Sequence, residues 1–225
     1  MTRTTNSRIA GFTYLFYIAV AYPSMVLFNR ATKGVDMAAQ LASMAQHASD
    51  VRLAVVLSLL GCFSALVLAV TLYALTRDED RDIAMFGLTC RVGEGLVGAA
   101  SIPSTLGLLA MVTATGAYVP DAAAAQAIGT FALTNAVVVG ASLFALGSTA
   151  FSWLLLRGRM VPRVLAWLGV VGSALLVVGL PLQLLHVLMG AAAQLMWIPV
   201  AIFEVLVAFW LMIKGAAMPV ARVTA

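Results

Sequence analysis

From Val164 to Ile213 the chain carries one charged side chain, Glu204, in a stretch dominated by Leu, Val, Ala, Met, Phe, Trp and Gly. About 20 apolar residues cross a bilayer as a helix, so this stretch has room for two crossings. In hydrocarbon every backbone polar group must be satisfied internally, which restricts spanning structures to helices and closed barrels. Barrel strands alternate polarity every second residue, and this stretch does not. The rest of the chain is similar: 63% of residues are hydrophobic, 10% are charged and the mean hydropathy is +1.03. A soluble domain is nearer half apolar and a quarter charged. The expected fold is all-α, a polytopic integral membrane helical bundle.

Six transmembrane helices are expected in a single transmembrane domain, at about 9–28, 51–76, 83–112, 127–156, 162–188 and 195–213. The break between the last two rests on Gly190, Gln194 and the entry Trp197-Ile198-Pro199. Arg3, Arg8 and the Ala19-Val20-Ala21 stretch resemble a cleavable leader. The apolar run continues to Phe28, which favours an uncleaved first span. With six spans, one side of the membrane holds Arg3, Arg8, Arg77, Arg81, Arg157, Arg159, Arg163, Lys214 and Arg222, and the other holds Arg30, Lys33 and Arg52. The positive-inside rule then puts both termini in the cytoplasm. Those single basic residues at span ends form no patch that could track phosphates, so no nucleic-acid partner is expected.

The connections are short. Arg77-Asp78-Glu79-Asp80-Arg81-Asp82 reads as a solvated link. In the longest connection Met37, Leu41 and Met44 recur at helical spacing, which predicts a short amphipathic helix on the outer side between spans one and two. Ser49-Asp50 is expected to cap the second span. Pro23, Pro103 and Pro181 fall inside spans, where proline bends a helix. Cys62 and Cys90 lie in apolar helices and are expected to be free and buried.

Three charges fall where the bilayer would be: Arg91, Glu94 and Glu204. A charged side chain at the centre of a spanning helix costs about 2.5–3.5 kcal/mol on insertion scales, so such residues face the bundle interior, pair or handle a ligand. On the third span the helical line through Arg91 and Glu94 continues to Gly87, Gly98, Ser101 and Thr105, all polar or small. On the sixth span Glu204 aligns with Trp197, Ala201, Ala208 and Gly215. Gly140, Ala141 and Gly147 mark close helix contact on the fourth span. The expected site is therefore an internal polar cluster of Arg91, Glu94, Glu204, Ser101 and Thr105. Two readings are open: an interhelical lock, or a pocket in which the acid that Arg91 does not neutralise binds a proton, cation or headgroup.

Tyr14, Tyr17, Ala21 and Ser24 share one face of the first span, and Tyr14 and Tyr17 could line that pocket. Gln183 and His186, near the end of the fifth span, are further candidates. Together with His47, His186 is a thin ligand set, so neither metal nor cofactor is expected. The chain has no Gly-Xaa-Ser-Xaa-Gly, no His-Glu-Xaa-Xaa-His and no phosphate loop. An enzyme is therefore not favoured.

Several segments resemble, in order and spacing, a family of bacterial multi-pass membrane proteins catalogued as domain of unknown function 4386. They are Arg8-Ile9-Ala10-Gly11-Phe12-Thr13-Tyr14-Leu15, Ser49-Asp50-Val51-Arg52-Leu53, Leu72-Tyr73-Ala74-Leu75, Cys90-Arg91-Val92-Gly93-Glu94-Gly95, and Phe203-Glu204-Val205-Leu206 with Phe209-Trp210-Leu211 and Lys214-Gly215. The resemblance covers nearly the whole chain. It implies a bundle of six to seven spans in a bacterial inner membrane, and it implies no activity. The expectation is a non-enzymatic structural bundle, or one that binds membrane lipid or a small amphiphile. The alternatives are a proton- or cation-linked carrier using Glu94 and Glu204, and an intramembrane enzyme acting on a lipid or isoprenoid.

Overall fold

A computed structural model describes residues 2–116, 121–134 and 137–219. Among them there are helices and no strands: α1 (Arg3–Ala31), α2 (Met37–Gln46), α3 (Ala48–Thr76), α4 (Arg81–Val112), α5 (Ala122–Thr134), α6 (Val137–Arg157), α7 (Arg163–Leu184), α8 (Ala191–Leu195) and α9 (Ile198–Ile213). Six helical segments are long and apolar enough to cross a membrane. They are α1, α3, α4, the Ala122–Arg157 stretch containing α5 and α6, α7, and the Ala191–Ile213 stretch containing α8 and α9. The fourth expected span crosses positions 135 and 136, and Arg222 belongs to the C-terminal tail; both lie outside the described residues.

The spanning helices turn apolar side chains outward, with Phe12, Val56, Phe63, Leu96 and Val178 all more than half exposed or close to it. Lipid, rather than water, suits such a surface. The residues form two compact units. One comprises the described residues of Met1–Phe16, Ser64–Gly95 and Val138–Ala225, and the other Tyr17–Phe63 and Leu96–Val137. Helices α1, α3 and α4, and α6 by its first residue, contribute to both.

In the second unit the short helix expected between spans one and two is α2. Asp36 accepts a hydrogen bond from the Ala39 N–H at 2.7 Å and so caps it. Its apolar stripe is inward, with Leu41 and Met44 buried among Ala31, Val51, Leu108 and Leu109. Ser49-Asp50 does not cap α3, contrary to expectation. The helix already begins at Ala48, and Asp50 sits in its first turn, 3.9 Å from Arg30. An acid there still favours the positive end of the helix dipole. The chain turns at His47, whose carbonyl accepts the Val51 N–H, so no extended residue is left to act as a side-chain cap.

In the first unit, the ends of α7 and α6 are closed by backbone hydrogen bonds. After α7 the His186 N–H reaches the Gln183 carbonyl and the Val187 N–H reaches that of Leu182, both at 3.0 Å. This two-bond stop requires a left-handed residue, and His186 takes it with φ 55°. The fifth span therefore ends at Leu184, short of the expected Leu188. The end of α6 repeats the pattern with Arg159 at φ 52°, Arg159 N–H to Leu156 and Met160 N–H to Leu155. A non-glycine residue in this conformation costs about 1–2 kcal/mol. Replacing His186 by Gly is expected to stabilise the protein by about 1 kcal/mol, read as a higher unfolding midpoint in detergent. No gain would mean that the imidazole makes a compensating contact.

The 77–82 connection is not simply solvated. Arg157, at the end of α6, holds Glu79 at 2.9 Å and Asp80 at 3.0 Å, and the Glu79 side chain is 5% exposed. A clamp of this kind needs a basic residue from a distant segment, which local charge counting cannot supply. The Ile83 N–H and the Arg157 guanidinium hold the Asp80 carboxyl below its ordinary value. The stabilisation from Asp80 is thus full above the normal carboxylate range, about pH 4, and is lost as pH falls through the lower folded value. Asp80→Asn should flatten that acid limb of a pH–stability curve; an unchanged limb would remove Asp80 from it.

Past α9, Gly215 at φ 76° lets its N–H reach the Trp210 carbonyl at 3.1 Å. The tail then lies against α1: Arg3 donates to the carbonyls of Ala216 and Ala217, and the Ala216 N–H donates to the Ser7 hydroxyl. The Ala217 N–H donates to the Met160 carbonyl at 2.9 Å.

Candidate functional site

Arg91 and Glu94 are three residues apart on α4, so one face of the helix carries both. Arg91 Nη1 lies 2.8 Å from Glu94 Oε2, with the two side chains 0% and 10% exposed. This is charge-assisted distance. The Arg91 guanidinium carbon also stands 4.8 Å from the centre of the Phe144 ring, on α6. The ring's negative face adds attraction for a desolvated cation. Phe144 in turn meets Trp197, with ring centres 6.1 Å apart.

Small residues let the helices come this close. A Cβ added at Gly147 on α6 would stand 2.9 Å from Arg91 Cγ, so Gly147 leaves the space that the arginine stem fills. On α4 a Cβ at Gly87 would meet the Phe151 ring at 3.1 Å. On α1 a Cβ at Gly11 would stand 2.5 Å from the Ala208 carbonyl oxygen, so α1 and α9 touch backbone to backbone there.

Glu204 reaches the same unit from α9 and is 6% exposed. It lies within electrostatic range of Arg91 and Glu94, as does the buried hydroxyl of Tyr14 on α1. Among the described residues Glu204 Oε1 and the Ser148 hydroxyl are buried and make no hydrogen bond. If both acids are ionised, the three charges sum to minus one.

Ser101 and Thr105 belong to the second unit and donate to the carbonyls of Gly98 and Ser101 on their own helix, at 2.7 and 3.2 Å. Tyr17 is in that unit too, half-buried. Ser24 donates to the Ala54 carbonyl at 2.9 Å and meets Ser58 at 2.8 Å. Gln183 is half-buried near the end of α7, and His186 is exposed in the turn that follows. His47 lies in the second unit, its Nδ1 2.9 Å from the Ser43 carbonyl. Phe144 was not foreseen from sequence. Its signal was its place one turn before Gly147, on the helix face already marked for close packing.

The family model described as Domain of unknown function (DUF4386) matches residues 9–215. No curated protein matches, and no solved structure matches.

Proposed function

The chain belongs to the family of the domain of unknown function 4386, and we propose that it is a non-enzymatic membrane bundle held by an internal charge lock. The observation that supports this is the Arg91–Glu94 pair at 2.8 Å, shielded from solvent and covered by Phe144. Arg91 is long enough to link α4 to α6 through its aromatic and stem contacts while its charge is neutralised on α4. A buried pair adds little net stability over apolar packing, and because both partners are on α4 the link to α6 is made by the Phe144 ring over Arg91 and by the space Gly147 leaves for its stem. The lock therefore selects one helix arrangement. The ligands suited to such a bundle are membrane lipid or a small amphiphile, and the membrane is the bacterial inner membrane with both termini cytoplasmic.

The second reading is a proton- or cation-linked carrier, favoured by the buried, hydrogen-bond-free oxygen of Glu204. Glu204→Gln separates the two. For a lock, the variant removes the attraction between Glu204 and Arg91 and lowers stability in detergent. Proton movement into liposomes carrying the protein then stays the same for wild type and variant. Substrate-dependent proton uptake that Glu204→Gln abolishes would replace the lock with the carrier.

A further inference from the structure

We infer that the junction of α6 and α7 is a binding site for one anionic phospholipid. The inference deepens the lipid-binding part of the reading above and does not use the Arg91 pair. Trp153, Leu156 and Arg157 from α6 and Arg163 and Trp167 from α7 line a cleft of about 610 Å³. That volume is within the range of small-ligand pockets, about 300–1,000 Å³.

The two arginines have different duties. The charge of Arg157 is engaged by Glu79 and Asp80. Arg163 is exposed and forms no ion pair among the described residues. It is the cation with charge to offer, and a phosphate diester matches it. Guanidinium groups bind phosphate oxygens through paired N–H donors. The indoles of Trp153 and Trp167 are 42% and 51% exposed at the ends of spanning helices. Tryptophan favours this depth, where the ring is apolar and its N–H stays wet.

The apolar side of the ligand is set by α7. Val164, Trp167, Val171, Leu175 and Val178 are exposed at intervals of three or four residues, with exposures from 47% to 85%. They make one continuous apolar stripe running from the cleft along the spanning helix. A free anion would use Arg163 and leave this stripe idle, and a soluble acidic peptide could not follow it into hydrocarbon. A lipid with a phosphate head and acyl tails engages both.

The test uses the full chain in nanodiscs of phosphatidylcholine doped with brominated phosphatidylglycerol or brominated phosphatidylcholine. Bromine quenches tryptophan at contact. Quenching by the anionic lipid is expected to exceed that by the zwitterionic one, and Trp167→Phe should reduce it. Arg163→Gln should lower the anionic preference about fivefold, equivalent to about 1 kcal/mol per basic side chain at an anionic surface. Equal quenching by both lipids overturns the proposal. So does a preference that survives Arg163→Gln, or one that millimolar inorganic phosphate abolishes, which would assign the site to a free anion. Arg163 lies outside the Arg91 pair, so the helix lock stands or fails separately, by the stability of Arg91 variants.

Discussion

Arg91→Met is expected to lower unfolding stability by about 3–5 kcal/mol, the cost of removing one partner from a buried ion pair. Methionine keeps much of the stem that fills the space beside Gly147. The loss therefore comes from Glu94, left at 10% exposure with no cation at 2.8 Å. Adding Glu94→Gln to Arg91→Met removes the stranded charge and should recover most of the loss. The measurement is unfolding in mixed micelles with increasing denaturing detergent, followed by tryptophan fluorescence. If Arg91→Met unfolds within 1 kcal/mol of the wild type, the charge is hydrated and the lock is excluded. If the double variant is no better than the single one, the penalty lies in lost stem packing rather than in the charge.

Gly11→Ala is expected to cost about 3 kcal/mol, the upper part of the usual range for overpacking. The added carbon would stand 2.5 Å from the Ala208 carbonyl oxygen and 2.9 Å from the Met212 backbone nitrogen. Backbone atoms cannot rotate aside, so α1 and α9 must separate along the face that carries Tyr14 and Glu204. The matched control is Gly107→Ala on α4. Nothing lies within 4 Å of a Cβ built there, so the substitution should gain about 1 kcal/mol through helix propensity. Unfolding midpoints of opposite sign are the expected result. Equal small effects at both positions would mean that the α1–α9 approach is looser than this geometry.

Much of this object is legible before folding. The six spans follow from hydropathy, because lipid leaves the backbone no alternative to the helix. The stripe through Gly87, Arg91 and Glu94 follows from helical period, and all three residues are buried on one side of α4. Beyond Gly95 the same stripe opens: Ser101 and Thr105 are half-buried and satisfy their own helix backbone. Periodicity alone could not mark that change, because it reports which residues share a face and not what the face meets.

The connections show the same limit from the other side. Six successive polar positions at 77–82 read as solvent-exposed, yet Arg157 binds two of their acids. Ser49-Asp50 has the composition of a cap, yet α3 begins before it, because the local hydrogen bonds of the 43–51 turn left no cap position to fill. His186 has the chemistry of a ligand, yet its backbone serves to stop α7.

Sequence by itself determined that the chain is a bundle of membrane-spanning helices, that a short amphipathic helix joins the first two spans, and that one basic and two acidic groups lie inside apolar helices. Those are properties of single segments against a solvent. Tertiary structure alone decided the partners: Phe144 over Arg91, Gly147 under its stem, Ala208 against Gly11, and Arg157 on the 77–82 turn. Each joins residues far apart in the chain. Such pairs depend on how helix faces meet in space, which no local pattern of hydropathy or charge encodes.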